Sequence, residues 1–472
     1  MNGKLWLGVV SMLVALSASA FDLEAPFTDP LQTLPKVIET GDILPGDAGP
    51  VPCPVNKDFS LPLVLSEAVD MALCNNPQIK ATWASIKIQA GLVGEARAAY
   101  LPTLSYTASR MRTRTTYPGF NDSTTKTYGH AMYSTLAWRL FDFGGRAANR
   151  ESANSLLVAA IATHDASLQK TLASVVQSYF NAQTAKATLL SKVQAEMIAR
   201  KTLESAQRRE DRGDVSRSDT LQAMTALAKA TLEKSRAIGG YQKSLSVLIN
   251  VIGVSQQIQI ILSDDIRDKD AVAVKDLASW LDIAKKVHPA IIAAQAQLES
   301  AKQKITSTRA EGLPTVDVSA NYNKNGYPGQ GLSSTTTIVN TLGISVTIPL
   351  FEGLSRTYKI RGAEAQAEQK EADLQDTENN IQMEVVKAYA DAVSSLQNLQ
   401  ASETLLNAAQ DSLNTSQRKY DKGAADILEM LHTQAALADA QQERIRCIAE
   451  WRSARLSLLA NAGMMGREAL LP

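Results

Sequence analysis

The sequence predicts a mixed α and β membrane protein, built from two internal repeats, in which each chain lends four strands to a β-barrel shared between chains. Three observations predict this fold: an export signal, a pattern that occurs twice about 210 residues apart, and a hydrophobic period that changes between helical and strand values within each copy. A repeat of this length is not a solenoid unit, because those units span only tens of residues. It indicates a duplicated half-molecule.

The duplication consists of short strings that return in the same order. Asn76-Pro77 returns as His288-Pro289, and Leu101-Pro102-Thr103 returns as Leu313-Pro314-Thr315. Farther along, Phe141, Val175-Val176, Tyr179 and Gly213 return as Phe351, Val385-Val386, Tyr389 and Gly423. We therefore expect residues 63–262 to form repeat 1 and residues 277–465 to form repeat 2, with a linker at 263–276 and a C-terminal tail at 466–472.

The first 20 residues have the pattern of a secretory signal peptide. Lys4 supplies the positive charge, Leu5 to Leu16 the apolar stretch, and Ala18-Ser19-Ala20 the cleavage site. The alternative is a buried or membrane helix, but the stretch is short and polar, proline-rich sequence follows. Residues 21–62 contain eight prolines and are expected to be extended chain.

The composition excludes several classes of protein. The chain has 48 basic and 48 acidic side chains, a balance that gives no support to nucleic-acid binding, which needs a basic face. Aromatic residues make up only 5%, and the dominance of Ala, Leu and helix-forming polar residues favours long packed helices. The four histidines are scattered, and no catalytic motif is present. We therefore predict neither an enzyme nor a cofactor.

Three cysteines follow the predicted signal. Cys53 and Cys74 are close in sequence and could form a disulfide in an exported chain. Cys447 lies on a helical pattern, which favours a small buried apolar side chain. No Cys and His spacing resembles a zinc site.

Each repeat begins with a predicted helix, at residues 64–99 and 277–311, that ends at a Leu-Pro pair. The period then changes to two, as in Leu104, Tyr106 and Ala108, which alternate with polar residues. The predicted strands are residues 103–112, 132–141, 315–323 and 337–350. Their connections, Arg112 to Ala131 and Lys324 to Thr336, are rich in Thr, Ser, Gly and Asn and are expected to be hairpin loops.

After the strands come the longest helical signals in the chain. Ala147 to Arg212 contains no glycine or proline, and neither does Ala363 to Lys422. At ~1.5 Å per residue, such a helix is about 100 Å long. A glycine turn then reverses each helix, so residues 146–250 and 356–461 are expected to form long antiparallel hairpins.

Four amphipathic strands cannot close a barrel alone, because bacterial barrels begin at about eight strands. Unpaired strand edges in lipid would each cost several kcal/mol per amide, so several chains must combine their strands. Three chains would provide twelve strands and four would provide sixteen. The polar faces would line a lumen, and Tyr106, Trp138 and Tyr322 are candidates for an aromatic belt at the membrane interface. The alternative is a soluble β-sandwich layer packed on helices, which shows the same alternation.

The order of these motifs resembles the TolC family of outer-membrane export channels. The strings that carry the resemblance are Asn76-Pro77, Leu101-Pro102-Thr103, Pro289, Leu313-Pro314-Thr315, Ile348-Pro349-Leu350-Phe351 and Tyr420-Asp421-Lys422-Gly423. The resemblance implies an outer-membrane homotrimer with a twelve-stranded β-barrel, continued into the periplasm by a long α-helical barrel. It also implies a passive duct that docks onto a periplasmic adaptor and an inner-membrane pump, driven by ATP or by protons.

Two groups of residues are candidates for function at the glycine turns, far from the membrane. The first group would dock the adaptor and consists of Arg212, Gly213, Asp214, Tyr420, Lys422 and Gly423. The alternative for this group is a helix turn with no partner. The second would form the pore constriction, where a ring of carboxylates favours cations: Asp219, Asp426, Glu429 and His432. The alternative for this second group is a solvated helix face.

The family closes its tip with a Tyr and an Arg that bond to the neighbouring helix. Tyr420 matches that Tyr, but Ala425 stands in the place of the Arg, and Arg217 or Arg418 are candidates to replace it. The cargo stays open between secreted protein and small toxic molecules or metal ions. A different class of protein, a periplasmic coiled-coil scaffold without a pore, is the alternative function.

Overall fold

A computed structural model describes residues 31, 33, 61–117, 123–254, 260–263, 276–325, 336–422, 424 and 426–465. Within them, each repeat has two short helices, two strands and two long helices in the same order. Repeat 1 contains α1 (Leu65–Asn75), α2 (Pro77–Ala98), β1 (Thr103–Tyr117), β2 (Ser123–Phe141), α3 (Gly145–Asp211) and α4 (Arg217–Val251). Repeat 2 contains α5 (Leu277–Val287), α6 (Pro289–Ala310), β3 (Thr315–Asn325), β4 (Thr337–Thr347), α7 (Ser355–Asp421) and α8 (Ile427–Asn461).

Several predicted segments fall wholly or mostly outside the described residues. They are the signal peptide at 1–20, most of the extended segment at 21–62, most of the linker at 263–276 and the tail at 466–472. Where the first segment is described, it lies against α2, because Arg97 Nη1 donates a hydrogen bond to the Leu31 carbonyl oxygen at 2.6 Å.

The helix that we predicted before each pair of strands is in fact two helices, which corrects the interpretation of 64–99 and 277–311 as continuous. The breaks are at Asn76 and His288, each followed by a proline. A residue before proline is driven out of the helical region, and both residues are extended, with ψ near 121° and 122°. Asn76 Oδ1 then accepts a hydrogen bond from Gln78 N at 2.8 Å, and His288 Nδ1 accepts one from Ala290 N at 3.2 Å.

The four strands form one antiparallel sheet in the order β1-β2-β3-β4. Four bounds differ from the prediction, one of them only slightly, since β3 ends at Asn325 and not at 323. β1 and β2 continue through most of the Arg112 to Ala131 connection, as far as Tyr117 and from Ser123, because the alternating Thr residues there suit a strand. β4 ends at Thr347, three residues before the predicted end at 350, ahead of the break at Pro349.

The cross-strand register separates the sheet into one apolar and one polar face. Leu104, Leu136, Ala320 and Leu342 lie opposite one another in a single row and therefore share a face. The adjacent row on the other face is Ser105, Thr135, Asn321 and Thr341. Within the chain the apolar face is uncovered, since Leu342 is 80% exposed and Ile344 is 72% exposed.

A half-buried arginine joins the sheet to the long helices in each repeat. Arg146 pairs with Asp142 at 3.1 Å, donates hydrogen bonds to the carbonyl oxygens of Arg139 and Leu140, and lies 4.8 Å from the Tyr100 ring. Its counterpart Arg356 pairs with Glu352 at 2.6 Å. There a glycine, Gly312, takes the place of the tyrosine, and a Cβ on it would overlap the Arg356 guanidinium. These contacts hold each strand end against the start of the next long helix.

The apolar cores lie where the short helices pack against the long ones. In repeat 1, Ala72 and Leu73 of α1 meet Leu172, Val175 and Val176 of α3. In repeat 2, Trp280 and Ala284 of α5 meet Val385 of α7 and Trp451 of α8. The cores are equivalent because the packed positions belong to the duplicated pattern.

Among the described helices, none is both long and apolar enough to cross a bilayer.

Candidate functional site

The turns that follow the long helices α3 and α7 close with equivalent backbone hydrogen bonds in the two repeats. Gly213 has φ of +74°, a left-handed conformation that glycine adopts without strain. The turn closes with a hydrogen bond of 2.8 Å from Asp214 N to the Arg209 carbonyl oxygen. The equivalent bond in repeat 2, from Ala424 N to the Lys419 carbonyl oxygen, is also 2.8 Å. We call the end of the molecule formed by these two turns the tip.

The predicted docking residues at the tip are largely open to solvent. Arg212 and Asp214 are both exposed, with Arg212 Nε 3.6 Å from Asp214 Oδ2. Lys422 is exposed as well. Gly423 and the side chain of Asp421 lie outside the described residues.

Tyr420 is the exception, because it is only 3% exposed. It packs with Ile427 and Met430 of α8. Its ring centroid lies 4.7 Å from the Arg209 guanidinium carbon, and Arg209 Nη1 donates a hydrogen bond of 3.2 Å to the Tyr420 carbonyl oxygen. Within the described residues, the Tyr420 hydroxyl is buried and has no hydrogen-bond partner. We call this contact between α3 and α7 the Arg209–Tyr420 contact.

The two arginines that the sequence analysis suggested for this role lie elsewhere. Arg418 Nε donates to the Asn414 carbonyl oxygen on its own helix, and Arg217 is exposed in the first turn of α4. Sequence reasoning missed Arg209 because its contact with Tyr420 joins two helices that are far apart in sequence. One signal could have found it: Arg209 and Lys419 stand at equivalent positions, four residues before the two turn glycines.

The four predicted constriction residues lie around the starts of α4 and α8, where two carboxylates cap helices. Asp219 Oδ2 accepts a hydrogen bond from Ser216 N at 3.2 Å, and Asp426 Oδ1 accepts one from Glu429 N at 2.8 Å. Such carboxylates stabilise helix N-termini. Asp219 and Asp426 therefore have a local structural role whatever their part in a pore.

Glu429 and His432 are one helical turn apart and both are exposed. Glu429 Oε1 accepts a hydrogen bond from Ser416 Oγ at 3.0 Å and lies 3.5 Å from Lys419 Nζ. These contacts tie the start of α8 to the end of α7 while leaving the carboxylate accessible to water.

A buried carboxylate joins α3 to α4 away from the tip. Glu196 is bonded to Lys234 Nζ at 2.7 Å and to Thr231 Oγ1 at 3.2 Å, and it lies 3.3 Å from Arg200 Nη2. The hydrogen bond from Lys234 lowers the pKa of Glu196 most strongly, and Thr231 and Arg200 lower it further. The carboxylate is thus held ionised as an interhelix link.

The predicted interface aromatics lie at two levels of the sheet. Tyr106 and Tyr322 lie in the same row as Ser134 of β2. Trp138 lies opposite Val318, four residues nearer the helices along β2. Trp138 Nε1 donates a hydrogen bond of 2.9 Å to the Tyr100 carbonyl oxygen. All three belong to the apolar face.

Of the cysteines, Cys74 in α1 is disulfide-bonded, and its predicted partner Cys53 lies outside the described residues, so that pairing stays a prediction. Cys447 is a buried free thiol, and burial raises its pKa. Among the described residues, no cluster of His, Cys, Asp and Glu could hold a metal ion.

Comparison with known proteins identifies the family. The model of the family described as "Outer membrane efflux protein" matches residues 68–254 and 280–464, one stretch for each repeat. The chain belongs to this family. The resemblance to TolC-family channels and the prediction of an outer-membrane protein that extends into the periplasm are therefore confirmed.

Two relatives and one structure show how close the similarity is. The chain is 34% identical over 428 residues to Protein CyaE of Bordetella pertussis, covering 90% of each chain. It is 22% identical to the alkaline protease secretion protein AprF of Pseudomonas aeruginosa, covering 87% of this chain and 86% of AprF. The outer membrane protein VceC of Vibrio cholerae has the same fold, with a TM-score of 0.72 at 19% identity, over 84% of this chain and 96% of VceC.

Proposed function

We propose that three copies of this chain form a passive exit duct across the outer membrane and the periplasm, gated at the tip and used for protein secretion. The observation that carries the proposal is the four-stranded sheet, which has one apolar face, one polar face and two open edges. Each further step follows from a described feature of the chain.

The open edges require neighbouring copies. Within the described residues, β1 and β4 each pair with a strand on one side only. In hydrocarbon their free amides would cost several kcal/mol each, so the sheet must be completed by other sheets. Three copies complete a twelve-stranded barrel, the arrangement implied by the resemblance to TolC-family channels.

The two faces determine which side meets lipid. The row of Leu104, Leu136, Ala320 and Leu342 would face the acyl chains. The row of Ser105, Thr135, Asn321 and Thr341 would line a hydrated lumen. The charged residues of this face in the described strands are Arg139 and Asp317, which pair with each other at 2.9 Å, so hydroxyl and amide groups would dominate a lumen without unpaired charge.

The helices would continue this lumen. α3 and α7 each contain 67 residues, which corresponds to about 100 Å at 1.5 Å per residue. With α4 and α8 antiparallel to them, three chains would surround a tube that ends at the tip. Arg212, Asp214 and Lys422 are exposed there and would meet a periplasmic adaptor, which in turn would connect the duct to an inner-membrane pump.

The Arg209–Tyr420 contact is our candidate for the closing device of the duct. It joins the hairpins of the two repeats at the tip, where outward movement of α7 and α8 would widen the tube. Tyr420 matches the Tyr of the family's lock by resemblance, and Arg209 of α3 would supply the arginine. Glu429 and His432, exposed beside it, would face the constriction.

Energy would come from a partner, because the sequence has no Walker A motif or other nucleotide-binding signature. We favour protein as the cargo since one relative across most of the chain is named as a protease secretion protein. The family's description names efflux without a cargo, and small toxic molecules are the competing cargo.

The test deletes the gene in its natural host and measures both the proteins secreted into the medium and the tolerance of the cells to small toxic molecules. We expect loss of one or more secreted proteins from the medium, restored by the wild-type gene, with unchanged tolerance to small toxic molecules. Reduced tolerance with normal protein secretion would contradict the protein cargo but not the duct. Absence of conductance from purified protein in planar bilayers would contradict the duct and favour the coiled-coil scaffold.

A further inference from the structure

The outer end of the first hairpin carries a row of basic side chains that the fold does not require. Arg110, Arg112 and Arg114 stand at every second position of β1, and Lys126 of β2 lies opposite Arg114. All four are exposed. We call these four residues the basic ladder.

The basic ladder lies on the apolar face of the sheet. Side chains two positions apart in a strand point to the same side, so Leu104, Tyr106 and Ala108 lead directly into Arg110. The register supports this assignment, because Ala108 pairs with Met132 and the next row pairs Arg110 with His130. The ladder is therefore stacked on the surface that would face lipid, and not on the lumen side.

Its height matches the edge of a bilayer. From Ile338 at the start of β4 to Ile348, the apolar face measures about 33 Å along the strand, or about 25 Å after a tilt of ~40°. This equals the usual apolar band of an outer-membrane barrel. Arg110 lies one row beyond the row that contains Ile338, at the level of lipid headgroups.

Among the residues that the structure describes, the ladder has no anionic partner. Within the described residues, no carboxylate pairs with Arg110, Arg112, Arg114 or Lys126, and the guanidinium of Arg112 lies over the Tyr128 ring at 5.3 Å. Between Thr103 and Phe141 the sequence has a single acidic residue, Asp122, in the connection between the strands. Cations about 7 Å apart along a strand repel one another unless an external anion binds between them.

The second hairpin shows that the ladder is not a folding requirement. From Thr315 to Thr347 its only charged residues are Asp317 and Lys324. Asp317 is paired with Arg139 of β2 at 2.9 Å, on the polar face. The duplicated half thus forms its shorter strands, 11 residues each, with Lys324 as its one basic residue, and the row of four basic side chains is specific to repeat 1.

We propose that the basic ladder binds the phosphate groups of lipid in the outer leaflet, a phosphorylated glycolipid of the lipid A type. Guanidinium groups bind phosphate through paired hydrogen bonds, which favours Arg over Lys at such a site. The proposal rests on the proposed function, because the long helices assign the opposite end of the sheet to the periplasm. Three copies would surround the barrel with three such lipid sites.

The test compares lipid A with dephosphorylated lipid A on delipidated protein in detergent, with bound lipid counted by native mass spectrometry. The variant is Arg110→Gln/Arg112→Gln/Arg114→Gln, which changes exposed side chains only. The matched control, Lys80→Gln/Lys87→Gln/Lys170→Gln, removes the same charge from exposed positions on α2 and α3.

We expect the wild type and the control to bind lipid A, with at least tenfold weaker binding by the ladder variant and by dephosphorylated lipid A. Binding that is equal for the wild type and the ladder variant, or equal for the two lipids, would overturn the proposal. Conductance of the same samples distinguishes the lipid site from the proposed duct. A ladder variant that conducts ions and binds lipid A as the wild type does would refute the lipid site alone. A wild type that forms no pore refutes both.

Discussion

The Arg209–Tyr420 contact makes the sharpest prediction about gating. Arg209→Met keeps the aliphatic stem of the side chain and removes its charge and its hydrogen bonds. If the contact holds the tip closed, this variant should open the duct. Because the ring lies 4.7 Å from the guanidinium and is 3% exposed, both interactions that are lost act away from bulk water.

The magnitude follows from the two interactions. The cation–π contact contributes about 1 kcal/mol, between the values for exposed and desolvated pairs. The hydrogen bond from the guanidinium to the Tyr420 carbonyl oxygen contributes about 1.5 kcal/mol. Together they correspond to a shift of about 70-fold per chain in the equilibrium between closed and open states.

The matched control is Tyr420→Phe. It keeps the ring and the backbone carbonyl, and it removes a hydroxyl that has no partner within the described residues. We therefore expect Tyr420→Phe to be as closed as the wild type.

Single-channel conductance of purified protein in planar bilayers measures the opening directly. We expect larger conductance or longer open times for Arg209→Met, with the wild type and Tyr420→Phe alike. Equal conductance for Arg209→Met and the wild type, at equal oligomer size, would refute the contact as a closing device. An open Tyr420→Phe variant would show that the hydroxyl, and not the cation–π contact, is responsible.

Three further predictions concern the tip and the helix caps. Glu429→Gln should lower the cation preference measured in single-channel recordings. The control Glu450→Gln, about 30 Å away on α8, should leave it unchanged. An unaltered reversal potential for Glu429→Gln would show that Glu429 does not line the pore. Gly213→Val should weaken export without dissociating the oligomer, because a β-branched residue at φ of +74° is strained by about 1–2 kcal/mol. The control Gly213→Asn should export normally, since Asn tolerates this conformation. Normal export by the valine variant would argue against a docking tip. Burial lowers the pKa of His288, whose neutral Nδ1 caps α6. The stabilisation by this cap is therefore complete above about pH 6.5 and is lost as the pH falls towards the lower pKa of the folded state. Thermal unfolding between pH 7.5 and 5.5 should be less pH-dependent for His288→Asn than for the wild type, and equal dependence would contradict the role of the cap.

Much of the fold could be predicted because its signals are local and repeated. The stretches around Val175 and Val385 combine helical apolar spacing with an absence of glycine and proline, which leaves few alternatives to a long helix. The two faces of the sheet follow from the alternation of apolar and polar residues, with exceptions such as Asn340. The duplication added independent evidence, because each half predicts the other.

The features that the sequence did not reveal depend on weak or distant signals. Arg110 to Arg114 alternates Arg with Met111 and Thr113, so charged residues stand at the positions where a half-buried strand would have apolar ones, and this conceals a strand that continues beyond the apolar band. The helix break at Asn76 was missed because the following proline also suits the first turn of a helix. Arg209 meets Tyr420 from a position 211 residues away in sequence, and the signal for it is the weak one that Arg209 and Lys419 precede the two turn glycines by the same distance.

The central claim is that neighbouring copies complete one wall around a shared lumen. Native mass spectrometry of detergent-extracted membranes tests it most directly, by counting the chains in the intact particle. The account predicts three chains in a particle that conducts ions after reconstitution. A monomer that purifies from the periplasm without detergent would contradict it.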